Sequence, residues 1–394
     1  MSEGMLYAMK CVISRNNYII ARVSGGGIQT TIRIDNKMTI EKERNIAVFV
    51  KNLTSGGAEK QSVIQAKLLA KSYSVHYIIF NGSKVHDKYL RYLENGNNVE
   101  IALFNGSHFH RFCSFIKYLR ERRIDVIFSY LTAANLYCCL ASLFCKAKVI
   151  VGLRNAKLPF GKLIVDRFLT NHVATMAVSN SYAGKEEFVG KGFKDDRVKV
   201  IPNCFENITP YSSKERHEQI GIVTVGRFVK QKDYETAIAA VSLVAAKHPQ
   251  IRYTIIGYGE LENDVRNWVK QYNLENNTEI IINPDNIESY LLQNDIYIST
   301  SLFEGTSNSI MEAMNADLPI VCTDAGDNRQ LVHDGENGYV CAKGDHKKIS
   351  DRIIELIEDD EKRILFGKKS KEILVSYYGS DFFCERYIQL INEN

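Results

Sequence analysis

The residues Ile46-Ala-Val-Phe-Val50 form an apolar run that is followed by the turn Leu53-Thr-Ser-Gly-Gly-Ala-Glu-Lys60 and by a helical pattern from Ala58 to Lys71. A short apolar run bounded by such a turn is typical of a buried strand. Strands that alternate with helices predict a parallel sheet with helices on both faces. The glycine pair also allows backbone N–H groups to approach an anion closely, although a plain tight turn explains it equally well.

The same alternation recurs along the chain and is interrupted once. Further strands are predicted at residues 75–80, 126–128, 148–151, 176–178 and 198–201, and then at 222–225, 253–256, 279–282, 296–299 and 320–322. The stretch 204–219 between the two series is polar and contains Pro210, which is typical of a linker.

The two series predict an α/β protein with two doubly wound, Rossmann-like domains that face each other across a cleft. The domains are expected at residues 45–203 and 220–375. Residues 376–394 are expected to form a C-terminal helix that packs back on the N-terminal domain. Residues 1–44 are interpreted as an N-terminal extension, either a hairpin or a nonessential leader.

The charge of the chain is divided unevenly between these halves. Residues 45–200 contain 23 Lys and Arg against 11 Asp and Glu, whereas residues 201–394 contain 20 against 31. The formal net charge of only +4 therefore hides a basic half and an acidic half. Such asymmetry indicates that the basic half faces an anionic surface or substrate.

Composition excludes several classes of protein. The 394 residues are 45% hydrophobic and 24% charged, which is typical of a globular protein and not of a disordered chain, collagen or a coiled coil. No apolar run is long enough to predict a transmembrane helix. The nine cysteines are odd in number and lack the spacing of zinc ligands, so reduced thiols are expected.

Two cations follow a predicted strand of the second domain. Arg227 comes directly after the strand at residues 222–225, and Lys232 lies five residues further on. Two cations that converge at a strand end can hold a diphosphate. Solvated surface charge is the alternative interpretation.

A second motif of this domain combines carboxylates with a helix start. Glu304 precedes the turn Gly305-Thr-Ser-Asn308, which is predicted to cap a helix that begins near Asn308. Free N–H groups at such a helix start face a phosphate or a sugar. Glu312, in the first turns of this helix, is placed to accept hydrogen bonds from a vicinal diol such as ribose. The strand and polar turn at Pro319 to Asn328 are interpreted as ordinary architecture.

In combination these motifs resemble the GT-B glycosyltransferases, specifically the large retaining family 4. The matching segments are Gly56-Gly-Ala-Glu59, Gly226-Arg-x4-Lys232 and Glu304-Gly-x-Ser-Asn-Ser-x-x-Glu-Ala-Met314, and they occur in the order of the family. Val200-Ile-Pro-Asn203 is similar to the family's domain-junction motif. The resemblance covers residues 45–385 and is strongest between residues 220 and 340.

The resemblance implies a nucleotide-sugar donor, expected to be a UDP-sugar, bound mainly to the C-terminal domain. Its implied catalytic residues are Arg227, Lys232 and Glu304. The implied donor-binding residues are Gly56, Gly57, Gly305, Thr306, Ser307, Asn308, Ser309 and Glu312. No metal and no other cofactor is expected, because the two cations replace a metal at the diphosphate.

The acceptor side departs from the family pattern. Related enzymes often carry a histidine where this chain has Tyr130, so the usual donor-side histidine is not assigned. Tyr130, Arg154 and Asn155 are candidate acceptor-side residues, with a loop that packs against the linker as the alternative for Arg154 and Asn155. Retention does not require the histidine, because the leaving phosphate can assist the attacking hydroxyl group from the same face.

The resemblance implies a glycan acceptor, expected to be lipid diphosphate-linked, in surface polysaccharide synthesis of the O-antigen or capsule type. The protein is therefore expected in the cytoplasm, peripheral at the inner face of the plasma membrane. A helix that carries Lys117, Arg120, Arg122 and Arg123 beside Phe112, Phe115 and Tyr118 is expected to lie on the anionic lipid, with a solvated helix face as the alternative. A nucleic-acid partner is not expected. A GT-B sugar-nucleotide epimerase and a noncatalytic sugar-nucleotide-binding subunit are the alternatives.

Overall fold

The computed structural model describes residues 44–54, 56–94, 99–154, 158–211 and 219–393. All of these residues belong to one compact unit. The predicted N-terminal hairpin, the acceptor-side candidate Asn155 and part of the predicted linker lie outside the described residues.

The first half of the described chain is built around a parallel sheet. Its strands are β1 (Asn45–Val50), β2 (Ser74–Ile79), β3 (Val99–Leu103), β4 (Val126–Tyr130), β5 (Lys148–Leu153), β6 (Met176–Ser179) and β7 (Val198–Val200). Its helices are α1 (Gly57–Leu69), α2 (Asp87–Glu94), α3 (His108–Glu121), α4 (Thr132–Ser142), α5 (Phe160–His172) and α6 (Tyr182–Gly190). The seven strands have the order β3-β2-β1-β4-β5-β6-β7. The apolar run 46–50 is central and fully buried, because it has a paired strand on each side and a helix layer on each face.

The second half repeats this plan. Its strands are β8 (Gly221–Val225), β9 (Arg252–Gly257), β10 (Thr278–Ile282), β11 (Ile296–Ser299), β12 (Ile320–Thr323) and β13 (Gly338–Cys341). Its helices are α7 (Tyr234–Lys247), α8 (Glu262–Gln271), α9 (Ile287–Leu292), α10 (Asn308–Asn315), α11 (Asn328–Leu331), α12 (His346–Glu358), α13 (Asp360–Tyr378) and α14 (Ser380–Asn392). The six strands are parallel in the order β10-β9-β8-β11-β12-β13. The predicted α/β fold with two Rossmann-like sheets is confirmed.

The last helix returns to the first sheet. Phe383, Tyr387 and Ile391 of α14 are buried in the core that covers one face of β1 and β4. The Tyr387 ring packs edge-on against Phe128, with ring centroids 5.2 Å apart. The chain therefore crosses between the two sheets a second time after the linker.

The segment that joins the sheets is held by both of them. The Gln61 side chain of α1 donates to the Cys204 carbonyl and accepts from the Cys204 N–H, at 3.0 and 2.8 Å. One residue later, the Phe205 N–H donates to the carbonyl of Tyr378 in α13. The joining segment is therefore hydrogen-bonded to a helix of each half.

The predicted basic and aromatic face of α3 is wrong in its aromatic part. Phe115 is fully buried, and Phe112 and Tyr118 pack against the same core beneath the helix. The helical period of 3.6 residues turns these rings toward the sheet and leaves Lys117 and Arg120 on the outside. The three predicted rings are therefore not part of the exposed basic face of α3, although Phe109 of this helix is 79% exposed.

Candidate active site

Two of the predicted catalytic side chains meet beyond the carboxyl end of β8. Lys232 Nζ donates to Glu304 Oε1 at 2.5 Å, and Ser301 Oγ donates to the same oxygen at 2.7 Å. Both partners are largely buried, since the side chains of Lys232 and Glu304 are 17% and 10% exposed. Removing either partner would leave a charge with little water around it. The pair therefore fixes the ammonium group at the edge of the cleft.

Arg227 lies near this pair and remains accessible. It is exposed, and no hydrogen bond or ion pair involves its guanidinium group within the described part of the chain. Gly226 lies beneath Lys232, because a Cβ atom at position 226 would be 3.2 Å from Lys232 Cε. The end of β8 is thus followed by Lys232, whose charge is paired with Glu304, and by the exposed cation Arg227.

The predicted donor loop joins β11 to α10 and begins a helix as expected. Ser307 is the N-cap residue, and its hydroxyl oxygen accepts a long hydrogen bond from the Ile310 N–H. Ser309 Oγ lies 3.3 Å from Ser307 Oγ, and Asn308 is exposed at the first turn. Thr306 Oγ1 donates to the carbonyl of Asn180 in the other half of the molecule, at 2.8 Å. The start of α10 therefore contacts both domains.

Asp327 is a residue of this loop region that the sequence interpretation left without a role. Its carboxylate accepts hydrogen bonds from the N–H groups of Tyr182 and Ala183, at 2.9 and 2.8 Å, at the start of α6. Its own N–H donates to the carbonyl of Gly305. Burial raises the pKa of Asp327, and the two N–H groups from α6 partly oppose this shift. The strand and turn at residues 319–328 therefore connect the donor loop to the opposite domain.

Glu312 lies on α10 and is half-buried. Burial raises its pKa, and the positive charge of Lys60 in the other domain partly opposes the shift. Beside it, Tyr297 Oη donates to the carbonyl of Val225 at the end of β8. A partly buried carboxylate beside a strand end has unfilled acceptor positions for hydroxyl donors.

In the glycine turn after β1, the side-chain carboxylate of Glu59 lies where an anionic ligand was predicted to bind. Gly56 is the N-cap of α1 and Gly57 is its first residue. A Cβ atom at position 56 would lie 2.3 Å from Glu59 Oε2, and Thr54 Oγ1 donates to Glu59 Oε1 at 3.0 Å. The Glu59 carboxylate thus turns back over the turn. This side chain therefore occupies the space above Gly56, whereas the space above Gly57 is open.

The described acceptor-side candidates, Tyr130 and Arg154, come together. The Arg154 guanidinium carbon lies 4.5 Å from the centroid of the Tyr130 ring, and Nη1 contacts Asn203 Oδ1 at 3.4 Å. Tyr130 Oη donates to Gln65 Oε1, so its hydroxyl group already has a partner. This arrangement combines both earlier interpretations, because Arg154 contacts the domain junction as well as the site.

A small cavity opens beside Tyr130 at the carboxyl ends of β1 and β4. Its volume is about 100 Å³, and its lining includes Asn52, Glu59, Tyr130 and Leu131. Leu131 has φ +72° and ψ 154°, a backbone conformation that residues other than glycine rarely adopt. Strained backbone of this kind is concentrated at functional sites, and here it turns an apolar side chain toward the cleft.

Comparison with solved structures identifies this architecture. The structure superposes on that of Anabaena HepE in complex with UDP with a TM-score of 0.74, over 88% of this chain and 99% of the other, at 18% sequence identity. The protein has the GT-B fold, in which two Rossmann-like domains flank a cleft.

Comparison of sequences finds similar glycosyltransferases. Residues 207–373 match the family model of the glycosyl transferases group 1. An uncharacterized glycosyltransferase of Haemophilus influenzae is 25% identical, over 87% of this chain and 99% of its own. The N-acetylgalactosamine-N,N'-diacetylbacillosaminyl-diphospho-undecaprenol 4-alpha-N-acetylgalactosaminyltransferase of Campylobacter jejuni is 24% identical, over 83% and 94%. Residues 207–373 are therefore similar to the group 1 glycosyltransferases, and the chain resembles glycosyltransferases over most of its length.

Proposed function

We propose that this glycosyltransferase moves a sugar from a UDP-sugar to a lipid diphosphate-linked glycan, with retention of configuration at the anomeric carbon. The observation that carries the proposal is the Lys232–Glu304 pair, which lies beside Arg227 and the start of α10. The UDP bound to Anabaena HepE and the undecaprenyl diphosphate-linked acceptor in the name of the Campylobacter jejuni relative support the two substrate classes.

The donor half supplies charge stabilisation. As the bond to the sugar breaks, negative charge develops on the leaving diphosphate, and Arg227 and Lys232 stabilise it. Glu304 holds Lys232 in place through the 2.5 Å contact, so little reorganisation is needed during the reaction. These cations are proposed to act without a metal ion. Glu312 accepts hydrogen bonds from the ribose hydroxyl groups, and the N–H groups of residues 305–309 contact the phosphates and the sugar.

The acceptor half positions the attacking hydroxyl group. For retention, the acceptor hydroxyl oxygen attacks the anomeric carbon from the face that the diphosphate leaves. A phosphate oxygen of the leaving group takes the proton from this hydroxyl group. The protein then contributes orientation more than proton transfer. The cavity beside Tyr130 and the Glu59 carboxylate are placed to orient the acceptor or the donor sugar.

The acceptor half is also proposed to hold the protein on the inner face of the plasma membrane, in surface polysaccharide synthesis of the O-antigen or capsule type. Its net charge over residues 45–200 has the sign that anionic lipid attracts. None of the helices in the described residues is long and apolar enough to cross a membrane.

Nucleotide binding tests the donor half directly. The thermal midpoint should rise most with UDP in a screen of UDP, GDP and ADP, because a ligand that binds the folded state stabilises it. Lys232→Ala and Glu312→Ala should reduce the shift, whereas Lys230→Ala, which removes an exposed lysine two residues away, should not. Equal shifts in all of these proteins would contradict the site assignment.

Transfer assays separate the alternatives. With UDP-sugars and a lipid diphosphate-linked acceptor, the product should have the anomeric configuration of the donor. Release of a sugar with inverted ring stereochemistry from the donor alone would favour an epimerase. Tight nucleotide binding without turnover would favour a noncatalytic subunit.

A further inference from the structure

The outer faces of α4 and α5 form an exposed apolar surface that the proposed chemistry does not use. On and just after α4, the exposed apolar side chains are Leu136, Leu140, Leu143 and Phe144, and on α5 they are Phe160, Ile164 and Phe168. Phe160 is 77% exposed and Leu143 is 71% exposed. Large side chains of this kind rarely cluster on a monomer surface unless the surface binds a partner.

The two helices form one continuous surface. The buried carboxylate of Asp166 in α5 accepts from Thr132 Oγ1 and Asn135 Nδ2 of α4, at 2.5 and 2.9 Å. The exposed residues of α5 recur every fourth position, so they lie along one face of that helix. Because both helices follow neighbouring parallel strands, they run in the same direction and present their apolar faces side by side.

The charges around this surface indicate its partner. Between Thr132 and His172 the sequence contains six Lys and Arg but a single carboxylate, Asp166, which is buried between the helices. The basic end of α3 adjoins the surface, since Arg120 Nε donates to the carbonyl of Phe144 at 2.8 Å. An apolar surface that has a basic rim, and whose own two helices present no exposed carboxylate, complements an anionic lipid bilayer.

We propose that the outer faces of α4 and α5 insert their apolar side chains into the interfacial layer of an anionic membrane. The insertion would place the cleft at a defined height, because α4 begins directly after Leu131, which lines the cavity, and α5 follows the end of β5. A lipid-linked acceptor would then reach the cavity while its chain stays in the bilayer. The inference rests on the proposed lipid-linked acceptor, and it replaces the wrongly predicted aromatic face of α3.

Binding to vesicles of phosphatidylglycerol and phosphatidylethanolamine tests the surface. The triple variant Phe160→Ser, Ile164→Ser, Phe168→Ser should bind at least about tenfold more weakly than the native chain. The reason is that each apolar side chain buried in the bilayer contributes strongly to membrane partitioning. The matched control Ile364→Ser, Leu365→Ser, Val375→Ser removes three exposed apolar side chains from α13 and should bind normally. Equal loss in both variants, or in neither, would overturn the proposal.

Insertion is distinguished from electrostatic attachment by fluorescence. Phe160→Trp should show a blue shift and quenching by brominated lipid, whereas Leu365→Trp should show neither. High salt should weaken the attachment without abolishing the quenching at position 160. Attachment without quenching would overturn insertion.

Two controls keep this outcome separate from the proposed function. The serine variants should retain the UDP-induced rise in thermal midpoint, which shows that the donor half is folded and competent. If the native chain is instead a dimer that the α5 variant dissociates, the surface is an interface between copies and the proposal fails. A native chain that binds UDP but no vesicle would also overturn it, while leaving the donor assignment intact.

Discussion

Asp327→Asn tests whether the donor loop depends on the opposite domain. The native carboxylate accepts from two N–H groups at the start of α6, so each oxygen has one donor across the cleft. An amide of the same size keeps one acceptor oxygen and places an NH₂ group against the second N–H. The substitution therefore changes one hydrogen bond and hardly changes the packing.

The size of the effect follows from the buried position of Asp327, which is 2% exposed. A hydrogen bond to a charged group contributes about 1.5–3 kcal/mol, and a buried donor left without a partner adds to the loss. A cost of about 2 kcal/mol corresponds to about 30-fold in an equilibrium constant. Because the bond joins the two domains, the loss should appear in the equilibrium between the joined and separated arrangements.

Steady-state kinetics and small-angle scattering measure this loss. Asp327→Asn should lower kcat/KM for the donor by up to about 30-fold and increase the radius of gyration. The control is Asp324→Asn in the same turn, where the native carboxylate is exposed and pairs with Arg329 at 2.9 Å. That exposed pair contributes little, so both measurements should stay close to native. Identical values for the two variants would refute the argument.

Three further predictions concern acidity and strain. Hydrogen bonds from neighbouring side chains outweigh burial and hold the pKa of Glu355 at about 2. Glu355→Gln should therefore lower the thermal midpoint at pH 7, and the difference between the midpoints of the native chain and the variant should vanish as the pH falls from 4.5 toward 2. Burial raises the pKa of Glu312, so the UDP affinity of the native chain, measured by calorimetry, should begin to fall at a higher pH than the titration of an ordinary glutamate would predict. The ratio of the UDP affinities of the native chain and Glu312→Gln should approach one at low pH. Leu131→Gly should raise the free energy of unfolding by up to about 1 kcal/mol in chemical denaturation, because glycine relieves the positive φ, whereas Leu140→Gly inside α4 should lower it by about 1 kcal/mol; equal losses would contradict the strain argument.

Local patterns were sufficient for most of the strands. The predicted strand at residues 296–299 and the helix that begins at Asn308 have these limits in the structure. Of the four edge strands, β7 and β10 were predicted, whereas β3 and β13 were missed. All positions of β3 are half-buried or exposed, and β13 begins with a glycine that lies against the Ile320 carbonyl. Neither pattern resembles the continuous apolar run of a central strand.

The positions of candidate site residues were predictable where each residue follows its own strand. Arg227, Lys232 and Glu304 each follow a strand, and parallel strands bring their carboxyl ends to one edge. Asp327 and Glu59 gave no such signal. The role of Asp327 depends on α6, about 145 residues earlier in the chain, and the carboxylate of Glu59 covers its own turn through a side-chain conformation. Contacts of this kind arise from tertiary packing, which a single sequence does not encode locally.

The uneven charge of the two halves acquires a physical meaning from these contacts. In the proposed function, the acidic half binds its anion next to Glu304 and Glu312, so bulk charge cannot provide the attraction. Since Glu304 compensates Lys232, the uncompensated charge at the strand end is that of Arg227, assisted by the start of α10. Such short-range binding depends on geometry more than on net charge. The basic half has the opposite design, with exposed cations around an apolar surface and its carboxylate Asp166 withdrawn between two helices. The two proposals therefore assign donor recognition and membrane attachment to separate groups, so each is testable without the other.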